Sequence, residues 1–174
     1  MKILLIIVAS ILVIVIAAVG IIAGVGALLP RRHVASRSAT YRAAPEQLFA
    51  LISGPQSWRP DVQRSDTIAG PGGQSLLRET TRDGNTMTYE AFATNPPTSI
   101  GRRVVGKNLP FSGSWTYSLA PSAGGTTVRI TEDAEVHNPV FRFMSRFVIG
   151  QTRTMDTYLR SLGKATGQEV EIKD

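Results

Sequence analysis

Hydrophobic positions change period along this chain, and each change marks an element. From Ile3 to Leu29 there is no alternation: about 27 residues run without a charged side chain, more than the roughly 20 needed to cross a bilayer's hydrocarbon core. This pattern predicts one transmembrane helix as an anchor over residues 1–29. A secretory signal peptide, with Lys2 at its start and a cleavage site such as Val25-Gly26-Ala27, is the alternative, but signal peptides carry an apolar region of only about 7 to 15 residues. Gly20 and Gly24 add a Gly-xxx-Gly spacing that lets two such helices approach closely.

Beyond Pro30 the pattern is that of a water-soluble domain. His33 to Arg42 alternates small apolar and polar residues, which predicts a strand. Ala44-Pro45-Glu46 places proline at a favoured first helical position; Leu48, Phe49, Leu51 and Ile52 form the core-facing stripe of a short helix that Gly54-Pro55 ends. From Asp61 to Val136 short extended runs are divided by Gly70-Pro71-Gly72-Gly73, Asp83-Gly84-Asn85, Asn95-Pro96-Pro97, Asn108 to Pro110 and Pro121 to Gly125. Five or six antiparallel strands follow from that punctuation.

In Phe111 to Leu119 the odd positions (Phe111, Gly113, Trp115, Tyr117, Leu119) oppose a polar even set, so one face is wet and the other buried. Val128, Ile130, Ala134 and Val136 make the buried side of the next strand, and Glu132 falls among them. Asn138-Pro139 then supplies an N-cap and a first-turn proline. Val140, Met144, Phe147, Val148, Met155, Tyr158, Leu159 and Leu162 recur at helical spacing, predicting one long terminal helix across the sheet. Gly150 interrupts it; Gly163 or Gly167 ends it. The resulting class is α+β, a curved antiparallel sheet wrapped around a long C-terminal helix with a space between them. The divisions are an anchor at 1–29, a domain at 30–163 and a polar tail at 164–174.

Charge and composition narrow the function. The net charge of +6 comes with no cysteine, which removes disulfides, thiolate nucleophiles and thiolate metal sites. The arginines are scattered and accompany no reading motif or stacking aromatics, so nucleic acid is not expected as a partner. Arg31, Arg32, Arg37 and Arg42 follow the anchor and point to a single-pass protein whose domain lies in the cytoplasm. No metal-ligand spacing, Gly-rich phosphate loop or nucleophile elbow is present, and no cofactor is expected. His33 and His137 are read as surface or structural residues.

The stretch from residue 33 to 163 resembles the START-like, or SRPBCC, superfamily with its helix-grip fold, particularly the polyketide cyclase/dehydrase and lipid-transport-like members. The resemblance rests on Tyr41-Arg42-Ala43-Ala44-Pro45-Glu46-Gln47-Leu48-Phe49, on Trp58, on Pro110-Phe111-Ser112-Gly113-Ser114-Trp115-Thr116-Tyr117, and on Gly125-Thr126-Thr127 through Thr131-Glu132 before Asn138-Pro139-Val140-Phe141-Arg142. It implies an apolar pocket for lipids, sterols, polyketides or similar molecules.

The residues themselves place Trp115, Tyr117, Val128, Ile130 and Glu132 on inward strand faces, with Met144, Phe147, Val148, Met155 and Leu159 on the helix side. A carboxylate facing an apolar interior needs a partner; for Glu132 the candidates are Arg78, Arg103, Tyr89 and Tyr117. The expected function is membrane-anchored binding or transfer of a hydrophobic small molecule, with membrane lipid as the other partner. The alternatives are a cyclase- or dehydratase-like enzyme using Glu132, a tyrosine and an arginine, and a non-catalytic member of a membrane complex.

Overall fold

The structure, a computed structural model, describes residues 1–107 and 109–174. Asn108, named above in the turn before the aromatic strand, lies outside the described residues. Helix α1 (Lys2–Leu28) is long and apolar enough to cross a membrane, with a mean hydropathy of 3.3 and none of that window buried in the protein. Strand β1 (Arg32–Tyr41) follows, and α2 (Pro45–Ser53) then carries the chain to the opposite edge of the sheet. There β2 (Val62–Ala69) starts a meander through β3 (Ser75–Thr81), β4 (Thr86–Asn95), β5 (Ser99–Val105), β6 (Phe111–Ser122) and β7 (Gly125–Val136). The last strand returns beside the first, giving one antiparallel sheet ordered β1-β7-β6-β5-β4-β3-β2.

Register decides which residues share a face. Trp115 stands opposite both Arg102 and Glu132, and Tyr117 opposite both Ile100 and Ile130. The aromatic side of β6 and the apolar side of β7 therefore face the same interior, as their alternation predicts. That interior holds Tyr41, Leu48, Ile52, Val128, Ile130, Met155, Leu159 and Leu162, all fully buried. The Tyr41 hydroxyl donates to the Leu159 carbonyl at 2.8 Å, tying β1 to the last helix.

The terminal helix corrects the expectation of one rod. It is divided into α3 (Pro139–Met144), a π-helical turn (Ser145–Ile149) and α4 (Arg153–Ala165), with Gly150 at φ +83° between them. The halves serve different partners. Only α4 lies on the sheet, burying Met155, Tyr158, Leu159 and Leu162. α3 leans on the end of α1, where Gly26 comes so close to Pro139 that a Cβ would lie 1.9 Å from its carbonyl oxygen. Arg142 reaches across to accept none but donate two hydrogen bonds, to the carbonyls of Ala27 (3.4 Å) and Leu29 (2.9 Å), which stand among the last carbonyls of a helix and lack intrahelical donors. Phe147, Val148 and Ile149, in the π-helical turn, are left exposed.

The polar tail is also more ordered than its composition suggests. Ser38 and Lys173 exchange backbone hydrogen bonds at 2.8 Å, and Val170 and Ile172 pack against the core. The alternation Val170-Glu171-Ile172-Lys173 is a short strand pattern, and its pairing covers part of the β1 edge, which would otherwise offer open donors and acceptors.

Replacing Gly26 with Val should unseat α3 from α1 without disturbing the sheet. In detergent micelles, tryptic cleavage after Arg142 should become at least about tenfold faster, as expected once a buried site opens locally at a cost lowered by more than 1.4 kcal/mol. The melting temperature of the domain should hold. Unchanged cleavage would show that the contact is not what shields this segment.

Candidate functional site

Between the inner face of the sheet and the first turn of α4 lies a cavity of about 320 Å³, at the small end of the ~300–1,000 Å³ typical of ligand pockets. Met87, Val104, Phe111, Trp115 and Ala134 give it apolar walls, while Glu79, Tyr89, Glu132 and Tyr158 bring oxygen atoms to it.

Its polar end is built around Glu79 on β3. Arg59, in the loop after α2, donates to the carboxylate at 3.0 Å, and Arg102 on β5 pairs with it at 3.6 Å. Glu79 is only 4% exposed and Arg102 7%. Each arginine is further occupied: Arg59 holds Asp61 at 2.5 Å, and Arg102 donates to the carbonyls of Ile52 and Gly54 at the end of α2. Those two carbonyls are shared with Gln56, which is fully buried and donates to Ile52 at 3.2 Å and Gly54 at 2.8 Å. The cluster thus clamps α2 to the sheet while it forms the cavity floor. Burial pushes the Glu79 carboxyl above its ordinary range, against the opposing pull of Arg59 and Arg102.

Tyr158 on α4 is the hub of the aromatic wall. Its ring meets Trp58 at 5.4 Å and Trp115 at 5.8 Å, both edge-on, and Tyr117 at 5.3 Å. The Arg59 guanidinium lies 5.3 Å from its centroid. Its hydroxyl donates to Gln56 at 2.9 Å. Burial raises the phenols of Tyr89, Tyr117 and Tyr158, so all three are neutral at physiological pH.

Glu132 stands at the other end of the cavity with its side chain 20% exposed. Trp115 Nε1 donates to its Oε1 at 2.7 Å, and His33 Nε2 lies 3.2 Å from its Oε2. Neither partner was among the four candidates. Arg103 pairs with Glu90 at 2.8 Å on the outer face, and Arg78 reaches toward Asp66 there. Tyr89 and Tyr117 share the cavity with Glu132 without bonding it.

The structure therefore brings together Trp115, Tyr117, Glu132 and Tyr89 of the expected set. Val128, Ile130 and Met155 face inward but are consumed by the solid core. Met144, Phe147 and Val148 leave the cavity with the α3 half of the broken helix, and Arg103 stands outside the sheet. Glu79, Arg59, Arg102 and Tyr158, with Gln56 behind Tyr158, complete the site beyond the residues that the sequence pattern indicates. For Arg102 the signal was present: Ile100, Arg102 and Val104 alternate on one face, and Arg103 belongs to the other.

The polyketide cyclase / dehydrase and lipid transport family model matches residues 32–166. Among solved structures the chain is similar to protein MLL2253 from Mesorhizobium loti (17% identity, 79% of this chain and 97% of that one, TM-score 0.57). It is also similar to a point mutant of norcoclaurine synthase from Thalictrum flavum (14%, 78% and 94%, TM-score 0.58). A third likeness is to the di-domain ARO/CYC StfQ from the steffimycin biosynthetic pathway (15%, 78% and 51%, TM-score 0.59). At these identities the likeness is one of fold. No curated protein matches the sequence.

The raised pKa of Glu79 has a sign that can be measured. Proton uptake favours the folded chain, so the stability it contributes is complete below the ordinary value of 4.5 and is lost as pH rises through the folded value. Glu79→Gln removes this dependence. In urea titrations of the micelle-bound chain, the stability of the Gln variant relative to wild type should rise as pH climbs above 4.5, by about 1.4 kcal/mol for each tenfold difference in proton affinity between the two states. A flat difference would mean that the two arginines offset the burial.

Proposed function

Because the chain belongs to the polyketide cyclase/dehydrase and lipid-transport family through residues 32–166, we propose that it is a membrane-anchored protein that binds or transfers a hydrophobic small molecule, of lipid or polyketide type, between the sheet and α4. The observation that carries this reading is the economy of the cavity's charges. Glu79 is engaged by Arg59 and Arg102, Arg102 by the end of α2, and Glu132 by Trp115 and His33. What is left to meet a ligand is an aromatic and aliphatic wall with the Tyr89 hydroxyl among it and Ser112, Ser114 and Thr154 along its border. Such a surface holds an apolar body and orients one oxygen-bearing group.

General acid–base work needs a titratable group free to reach the substrate. Glu132 lines the cavity with His33 beside it at 3.2 Å, and this pairing of an acid with a base supports the second reading, a cyclase- or dehydratase-like reaction on a hydrophobic substrate. The hydrogen bond from Trp115 to Glu132 favours the binding role. α1 supplies the anchor, and Arg31, Arg32, Arg37 and Arg42 beyond it support a cytoplasmic domain on the positive-inside rule.

Native mass spectrometry of the full chain extracted from its own membranes should find a co-purifying hydrophobic molecule. Val104→Trp, which fills the cavity, should abolish its retention. Glu132→Gln, which loosens the hold on the Trp115 ring in the wall, should weaken binding about fivefold, or about 1 kcal/mol, with little change in melting temperature. Retention untouched by Val104→Trp would end the cavity reading. Turnover of the retained molecule, lost in Glu132→Gln, would establish the enzymatic one.

A further inference from the structure

A second hollow, of about 260 Å³, lies where α1 ends, between residues 29–33 and the segment formed by α3 and the π-helical turn. Four arginines line it, Arg31, Arg32, Arg142 and Arg146. Carboxylates answer only part of this charge. Arg32 is gripped by Asp133 at 2.6 and 2.7 Å, with Glu135 adding its field to Arg32. Arg146 reaches the neutral Gln151 at 3.3 Å, and Arg31 is exposed.

Arg142 is the informative member. The residue is 8% exposed; its Nη1 caps the carbonyls of Ala27 and Leu29, and its Nε has no hydrogen-bond partner among the described residues. A buried cationic N–H without an acceptor is costly. The acceptor that an arginine fork matches best is a carboxylate or a phosphate, and the surrounding arginines favour the group with more charge and more oxygen atoms. Position decides its source. The apolar helix stops here, so the hollow lies at headgroup depth, and Phe141, Phe147, Val148 and Ile149 are exposed on the adjoining segment, where apolar side chains meet the acyl boundary.

We propose that this hollow holds the phosphate of an anionic glycerophospholipid, one headgroup per chain, with Arg142 as its floor and Arg31 and Arg146 at its sides. The site rests on the reading of α1 as a membrane anchor and is separate from the cavity above. His33 lines it and also bonds Glu132 in the cavity wall, so two side chains link the headgroup site to the cavity.

The test uses the full chain reconstituted into vesicles of phosphatidylcholine and phosphatidylglycerol in equal amounts, then extracted in mild detergent for native mass spectrometry. One phosphatidylglycerol per chain should be retained while phosphatidylcholine is stripped, and added inorganic phosphate should not displace it. The double variant Arg31→Gln/Arg146→Gln should lower that retention about twenty-five-fold, the product of two juxtamembrane arginines each contributing about fivefold, with an unchanged melting temperature. Val104→Trp should leave the phosphatidylglycerol in place. Equal retention of both lipids, a double variant that behaves as wild type, or loss of the lipid in Val104→Trp would overturn the proposal. Displacement by inorganic phosphate would overturn the lipid as its source. A chain that leaves the vesicles in alkaline carbonate would overturn the anchor, and this site with it; a chain that stays but shows no lipid preference overturns this site alone.

Discussion

One helix is too short for the sheet it has to cover. α4 has 13 residues, which is about 20 Å of helix, whereas seven strands about 4.8 Å apart make a sheet roughly 29 Å wide. The helix spends its apolar stripe on the side where β1, β6 and β7 meet, burying Val128, Ile130 and Leu119 with Met155, Leu159 and Leu162. The inner face of β3, β4 and β5 has no helix lying on it. Its side chains border an empty volume, and the residues found there tolerate one: Met87, Tyr89 and Val104, with an ion-pair cluster at the end.

That cluster does two things at once. Glu79, Arg59 and Arg102 place two cations and an anion in a poorly hydrated setting, where one unpaired member would be expensive. Their hydrogen bonds run into the last carbonyls of α2 and, through Gln56, on to the Tyr158 hydroxyl. The floor of the cavity, the end of α2 and the middle of α4 are therefore one bonded unit. A bound molecule that pressed on Tyr158 would press on the packing of both helices. This rigidity suits a site that must hold its shape when empty, and it ties the apolar wall to the polar floor through a single tyrosine.

Much of this was legible where a single periodicity has a single cause. The proline and stripe of α2 and the alternation of β6 and β7 describe elements with one partner each, and those elements stand where the pattern puts them. Reading failed where one pattern served two masters. The apolar spacing from Val140 to Leu162 runs on unbroken, but its first half answers to α1 and its second to the sheet, a division that only the three-dimensional course of the chain reveals. Arg102 and Arg103 differ by one position, and in a strand one residue is the other face, so the arginine of the cavity is Arg102 and not the expected Arg103. The alternation shows Glu132 as inward and in need of a partner, yet His33, whose place in the sequence suggests a surface or structural role, lies 99 residues away. Its strand proved to be the neighbour of β7, which no local signal announces.

The join between α1 and the domain has a mechanical consequence. Only Leu29, Pro30 and Arg31 separate the end of α1 from β1, and the seat of Pro139 on Gly26 removes the slack that even three residues would allow. The domain is less a weight on a string than a head on a neck. On the proposed reading of α1 as a membrane anchor, it could not swing out to bridge a gap between two bilayers, so a bound molecule would pass sideways, to a partner in the same sheet of lipid or one that comes down to meet it.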